Sequence, residues 1–221
     1  MSLLDLPTPP IVTLGDGIAL LPRRASDEVL IAARAVIAAA PPRRMATPWG
    51  KQMSVAMTNC GALGWVSDAT GYRYAPLDPI SGLAWPALPD CFRLFAAEAA
   101  ALAGFADFAP EACLVNCYEP AARMGLHQDR DEQDLTQPIV SVSLGMAASF
   151  RIGGVRRADP TRSITLHHGD VLVFGGPARL MFHGVDRLVG APHPVLGTAR
   201  INLTCRRITA SGARSGAGVS A

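Results

Sequence analysis

The sequence predicts an α+β protein that is mainly β, a sandwich or jelly roll with supporting helices in its N-terminal half. Three observations carry this. After Gly104 the chain breaks into short apolar stretches at 113–119, 139–145, 149–152, 163–166, 171–174, 180–183 and 200–208, parted by Gly, Pro and Asp clusters, the spacing of a rolled antiparallel sheet. Helical periodicity is confined to two stretches before Gly104. Finally, Arg200, Asn202, Thr204 and Arg206 alternate with Ile201, Leu203 and Cys205, a period of two that gives a strand one polar and one apolar face.

In chain order, 11–21 reads as one or two short strands, and Ser26 caps a helix with Asp27 and Glu28 in its first turn that Pro41-Pro42 stops. A second helix runs from Asp90 through Phe92, Leu94, Phe95 and Leu102 to Gly104, a suitable C-terminal stop. Between them, 45–89 is dense in Gly, Pro and Met and carries Trp49, Trp65, Tyr72, Tyr74 and Trp85. So long an irregular stretch in a compact domain points to function. It reads as a lid with short strands, built to stack against something flat; the alternative is that its aromatics only pin a loop to the body. The ends, 1–10 and 211–221, read as loose.

With 221 residues the chain suits one domain, 1–221, with its strand-rich core at 111–208. A net charge of +2 and a pI near 8.4 do not by themselves announce a polyanion binder. Cys60, Cys91, Cys113, Cys117 and Cys205 form no C-x-x-C pair and mostly sit among apolar residues, so reduced thiols in a cytoplasmic protein are expected. The N-terminus lacks a basic-then-apolar leader pattern, and no run approaches the ~18 apolar residues of a membrane span.

The chemistry centres on Leu126-His127-Gln128-Asp129-Arg130-Asp131-Glu132. His127 and Asp129 share a face if the chain is extended there, so an imidazole and a carboxylate offer two adjacent positions to one metal. The best third ligand is His183, read as the end of a strand near the close of the chain. Two histidines and a carboxylate on one octahedral face suit non-haem Fe(II). His168-Gly169-Asp170 has the same spacing but sits between strand-like stretches, where a hairpin turn explains it better. On the 200–206 strand, Arg200 and Arg206 are two planar forks of the kind that grip carboxylates, and a dicarboxylate such as 2-oxoglutarate would use both. The bland reading of that polar face is that it meets water.

Asn116-x-Tyr118, His127-x-Asp129-x-Asp131-Glu132, 138–145 (PIVSVSLG), His168-Gly169-Asp170, His183-Gly184 and Arg200-x-Asn202-x-Thr204-x-Arg206, together with the lid segments 53–61 and 63–65, resemble the AlkB-type Fe(II)/2-oxoglutarate dioxygenases, and within them the bacterial repair branch. The resemblance runs from about residue 45 to residue 206 and is most specific in the lid. It implies a double-stranded β-helix with a nucleotide-recognition lid at 45–89. It implies His127, Asp129 and His183 as iron ligands, and Asn116, Tyr118, Arg200, Asn202 and Arg206 as the 2-oxoglutarate site, with Arg206 the main anchor. Trp65 would stack on a flipped base opposite His127, while Tyr72, Tyr74, Asp131 and Arg157 would contact substrate. Thr47, Lys51, Met53, Ser54 and Met57 would lie on the nucleotide-facing lid. Lys51 stands where the branch carries an aromatic residue, and Cys117 replaces a basic one.

The implied activity uses Fe(II), 2-oxoglutarate and O2 to demethylate 1-methyladenine and 3-methylcytosine, releasing formaldehyde. The implied partner is alkylated DNA, single-stranded in the first place, with duplex DNA and RNA open; the chain would act as a monomer. Asp131 would favour the cationic bases, although Asp131 and Glu132 also read as an ordinary solvated charge run. An oxygenase of proteins or small metabolites, or a non-enzymatic jelly-roll binding module, would use the same fold; the aromatic, Met-rich lid argues against the first, and the joint presence of His127, Asp129, His183, Arg200 and Arg206 against the second.

Overall fold

The computed structural model describes residues 10–209; of the loose ends expected from the sequence, all but Pro10 lie outside the described residues. In chain order the elements are β1 (Val12–Gly15), β2 (Ile18–Leu21), α1 (Asp27–Ala39), β3 (Arg43–Ala46), β4 (Gln52–Gly61), β5 (Gly64–Asp68), β6 (Gly71–Ala75) and α2 (Asp90–Leu102). They continue with β7 (Ala112–Tyr118), β8 (Met124–His127), β9 (Ile139–Gly145), β10 (Ala147–Ile152), β11 (Arg162–Leu166), β12 (Val171–Phe174), β13 (His183–Val189) and β14 (Arg200–Arg206). An eight-stranded sheet in the order β1-β2-β12-β9-β14-β7-β4-β3 faces a four-stranded sheet, β11-β10-β13-β8, and β5 and β6 form a separate hairpin.

The large sheet is buried on both faces, which explains why β9 and β14 are buried along their whole length. Its outer face carries Cys113, Val115, Val140, Val142, Leu144, Ile201, Leu203 and Cys205, covered by Val29, Ala33 and Val36 of α1 and Phe92, Ala96 and Ala99 of α2. Its inner face carries Met57, Leu114, Tyr118, Ile139, Leu172 and Phe174, which meet Phe150, Ile152 and Val185 of the small sheet. By alternation, Arg200, Asn202, Thr204 and Arg206 project from the inner face, so the polar row of β14 points into the roll and not to water.

Both helices start and stop at the positions expected from sequence. Ser26 occupies the extended position before α1 but contributes only its carbonyl, which accepts the Val29 N–H at 3.1 Å; its side chain makes no cap bond. Gly104 follows α2 at φ +94°, a conformation that favours glycine. All five cysteines are free thiols, and among the described residues no helix is long and apolar enough to cross a membrane.

Three expectations are corrected. Much of 45–89 belongs to the body: β4 is a ten-residue strand between β7 and β3 in the large sheet, so the irregular part shrinks to the β3–β4 turn, the β5–β6 hairpin and the loop before α2. His183 opens a strand instead of ending one: after a 3-10 turn at Gly176–Ala178, residues 179–182 form a turn and irregular chain, and the strand begins at His183. The His168-Gly169-Asp170 turn is real, with Gly169 at φ +82°, yet it is no hairpin. It carries the chain from β11 in the small sheet to β12 in the large one, and the Asp170 carboxylate accepts the backbone N–H groups of His167 (2.8 Å) and Arg23 (3.0 Å).

Candidate active site

β8 and β13 pair so that His127 and His183 are Cα partners. Gly184 permits that approach, since a Cβ there would lie 2.6 Å from the Met124 carbonyl. Asp129 follows β8 in irregular chain, not on the strand itself. The ligand atoms of His127, Asp129 and His183 nonetheless all lie within 4.8 Å of one another. His127 Nε2 is 3.6 Å from Asp129 Oδ1, and His183 Nε2 is 3.6 Å from Oδ2. Each imidazole turns Nδ1 to a carbonyl, His127 to Gly125 at 2.9 Å and His183 to Met181 at 3.1 Å. A carbonyl only accepts, so those Nδ1 atoms carry the protons and leave both Nε2 lone pairs free, the arrangement metal-binding histidines use. Phe150 and Phe174 flank the His183 ring at 5.8 and 5.0 Å.

Charge fits the same purpose. Burial, aided by the neighbouring His183, pushes His127 down to about 4, so the ring is neutral at ordinary pH. Burial would raise the Asp129 carboxyl, but the Arg206 guanidinium and the two histidines hold it well below the usual carboxylate range. A neutral His127 imidazole beside an ionised Asp129 carboxylate is the ionisation that a divalent cation requires of those two groups.

Around the triad runs a buried ionic network. Arg206 Nη2 lies 2.9 Å from Asp129 Oδ2, and its Nη1 donates to the Tyr74 hydroxyl at 2.9 Å and faces Glu132 Oε1 at 3.4 Å. Tyr74 donates to the same Glu132 oxygen at 2.6 Å. Arg179, 3 % exposed, donates from Nη2 to Glu132 (2.9 Å), from Nε to the Gln137 carbonyl (2.8 Å), and from Nη1 to the Asp129 carbonyl. Glu132 is therefore no solvated charge: it is buried and holds both arginines. Sequence reasoning missed Glu132 and Arg179. The available signal was an arginine in the otherwise apolar 171–182 stretch, a position that demands a buried acceptor.

Deeper along the sheet, register aligns Tyr118, Arg200 and Gly145 in one row and Asn116, Asn202 and Ser143 in the next. Arg200 is 1 % exposed; its Nη2 donates to Ser143 Oγ at 3.0 Å and its guanidinium lies 5.9 Å from the Tyr118 ring. Its Nε and Nη1, the Arg206 Nε and the Asn116 Oδ1 are buried without partners. Burial pulls Arg200 down to about 10, with Tyr118 and Asp170 opposing, so it stays cationic. Asn202 differs: its amide serves Ser141 (2.8 Å), the Val142 carbonyl (3.0 Å) and Thr204 (3.1 Å), which makes it part of the sheet's internal wiring.

The hairpin residues divide. Trp65 is fixed by Asn59, whose side chain bonds its backbone N–H and carbonyl, both at 3.0 Å; its indole donates to Asp131 at 2.7 Å, and Tyr72 stacks on it at 5.6 Å and 14°. Tyr74 spends its hydroxyl on Glu132 and Arg206, so it anchors the hairpin to the site floor. Arg157 lies over the Phe182 ring at 5.0 Å and donates to the Leu126 carbonyl at 3.0 Å, one residue from His127. Met57 is 1 % exposed and packed inside the roll, not on an open lid surface. Ser54 is engaged with Arg123 (2.9 Å), while Thr47 and Lys51 close the β3–β4 turn.

Arg179→Leu removes the nearer of the two cations that face Glu132, and the bond that ties Asp129 to the body. A stability loss of roughly 3 kcal/mol or more is expected in denaturant unfolding, the range for breaking a buried pair.

Comparison with known proteins follows the same lines. Residues 18–206 match the family described as the 2OG-Fe(II) oxygenase superfamily. The chain is 52 % identical over 184 residues to the alpha-ketoglutarate-dependent dioxygenase AlkB of Salmonella typhimurium, covering 83 % of this chain and 85 % of that protein. It is 42 % identical over 108 residues to the DNA N(6)-methyladenine demethylase ALKBH1D of Arabidopsis thaliana, 44 % of this chain and 24 % of that one. The solved structure of OsALKBH1 superposes with a TM-score of 0.78 at 29 % identity, covering 90 % of this chain and all of that one. With its His-Asp-His cluster, its buried arginines and its double-sheet roll, the chain belongs to the 2OG-Fe(II) oxygenase superfamily and, within it, to the AlkB dioxygenases that use Fe(II), 2-oxoglutarate and O2.

Proposed function

We propose that this chain removes N-linked methyl groups from the Watson–Crick edge of nucleobases, 1-methyladenine and 3-methylcytosine above all, in DNA that is single-stranded in the first place, and so reverses alkylation damage. The observation that carries this is the bonding of an aromatic hairpin directly to the metal-site chain: Trp65 to Asp131, and Tyr74 to Glu132 and Arg206. A flat substrate held by that hairpin is held against the oxidising centre.

His127, Asp129 and His183 would hold Fe(II), and the unpartnered N–H groups of Arg200 and Arg206 suit a dianion that water does not reach. Arg200 has two such groups against one on Arg206, so in this proposal Arg200 anchors the far carboxylate and Arg206 steadies Asp129. Asn116 and Tyr118 face the same space from β7. Iron held there would supply the oxidising chemistry: with 2-oxoglutarate going to succinate and CO2, one atom of O2 would enter succinate and the other the N-methyl carbon, and the N-hydroxymethyl group would leave as formaldehyde, its nitrogen keeping the hydroxyl proton.

The remaining steps belong to the protein. The target edge is hidden in a duplex, so the base must leave the stack or begin unpaired. The Trp65 and Tyr72 rings offset that cost by roughly 1–3 kcal/mol per stacked base. Asp131, pinned by the Trp65 indole, places negative charge where a cationic methylated base would sit. Arg157 and Lys51, both exposed, would meet the strand's phosphates, while Met57 would support the site from within the roll. The β5–β6 hairpin and the β3–β4 turn act as the lid. In this proposal the chain acts as a monomer in the cytoplasm, where a reducing environment suits its five free thiols.

The test is mass spectrometry of a single-stranded oligonucleotide bearing one 3-methylcytosine, incubated with Fe(II), ascorbate and 2-oxoglutarate under air. A mass lower by one CH2, only in the complete mixture, is expected; turnover of 2-oxoglutarate with an unchanged oligonucleotide would remove the nucleobase reading. In the same assay Arg200→Lys, which keeps the charge and loses the fork, should raise the KM for 2-oxoglutarate about ten-fold or more. An unchanged KM would move the anchor elsewhere.

A further inference from the structure

Trp49 is 83 % exposed, the most exposed large apolar side chain among the described residues, although tryptophan is normally well covered. It stands at the tip of the turn joining β3 to β4, a turn closed by its own hydrogen bonds. Pro48 sets the backbone before it, and the Gly50 N–H donates to the Thr47 carbonyl at 2.9 Å. The Thr47 N–H donates to the Lys51 carbonyl at 2.8 Å, and the Lys51 N–H donates to Thr47 Oγ1 at 3.2 Å. Lys51, the chain's sole lysine, sits exposed at the other side of the same turn.

The turn also borders the base-stacking face. Ser67 Oγ donates to the Ala46 carbonyl at 2.6 Å, and Ser67 is the Cα partner of Tyr72, which stacks on Trp65. Trp49 is three residues beyond Ala46, at most about 10 Å of extended chain, and successive nucleotides of a strand rise about 3.4 Å. The rim thus presents an exposed indole and a cation within a few nucleotides of the Trp65–Tyr72 pair.

We propose, resting on the nucleobase reading above, that Trp49 is a wedge that inserts into the base stack beside the extruded nucleotide, with Lys51 on the adjoining phosphate, and that it makes the chain effective on duplex DNA. A large apolar side chain placed between base steps holds the gap that an extruded base leaves, and a pre-ordered mount spares the ordering cost of a flexible loop.

The experiment compares wild type, Trp49→Ala and Trp49→Phe, each loaded with Fe(II) and 2-oxoglutarate without O2, for binding to a labelled short duplex carrying one 3-methylcytosine and to its methylated single strand. Because the ring is exposed, the thermal midpoints of the three proteins should coincide. Trp49→Ala should weaken duplex binding about ten-fold, the single strand less, and Trp49→Phe should restore most of the loss. Equal affinity of Trp49→Ala and wild type for the duplex overturns the wedge. So does a wild type that sediments as a dimer while Trp49→Ala is monomeric, which would assign the ring to self-association. Failure of the wild type to demethylate either strand under air is a separate result, and sinks the base chemistry instead of the wedge.

Discussion

The Asp129 carboxylate is the point on which the site depends. It is ionised although nearly buried, with a side chain 8 % exposed, because Arg206 stands 2.9 Å from one oxygen and a histidine Nε2 stands 3.6 Å from each. A buried carboxylate without such partners would take up a proton and lose its value as a ligand. The same arginine reaches Tyr74 and Glu132, and Glu132 reaches Arg179, whose other donors hold the backbone of the Asp129 segment. Asp129, the β5–β6 hairpin and the 171–182 segment are therefore joined by one set of charge-assisted hydrogen bonds.

That set needs an interior where polar groups can be placed without water. The two-faced burial of the large sheet supplies it. Helices α1 and α2 take the apolar side of β7, β9 and β14, which releases the opposite side of those strands to carry Asn116, Ser141, Ser143, Arg200, Asn202 and Arg206 within the roll. Most of these satisfy one another. The exceptions, at Arg200, Arg206 and Asn116, are donors and an acceptor left without protein partners in a low-dielectric space, where an unmet polar group costs most.

The mainly β class, both helices and the candidate cluster of His127, Asp129 and His183 were legible in the sequence, because turn clusters, capping positions and the His-x-Asp spacing are local signals. What failed were relations between distant segments. β4 was read as part of an irregular lid because its partners β3 and β7 are set by sheet order, which local pattern does not reveal. The polar row of β14 read equally as a wet face, since alternation gives two faces but not which of them meets helices. His183 was assigned to the wrong end of a strand because Leu180-Met181-Phe182 just before it is apolar and strand-like in sequence yet forms a turn and irregular chain. Glu132 and Arg179 were overlooked because a buried ion pair formed across 47 residues leaves no periodicity, and Met57 was placed on the surface because β4 was not recognised as a core strand.

The measurement that bears most directly on this account is calorimetric titration of Fe(II), without O2, into wild type and into His127→Ala, Asp129→Ala and His183→Ala, each with and without 2-oxoglutarate. A single tight site in wild type, tightened further by 2-oxoglutarate and weakened by more than about a hundred-fold in each variant, is predicted from the geometry of the three ligand atoms. Wild-type affinity retained in any of the three variants would contradict it.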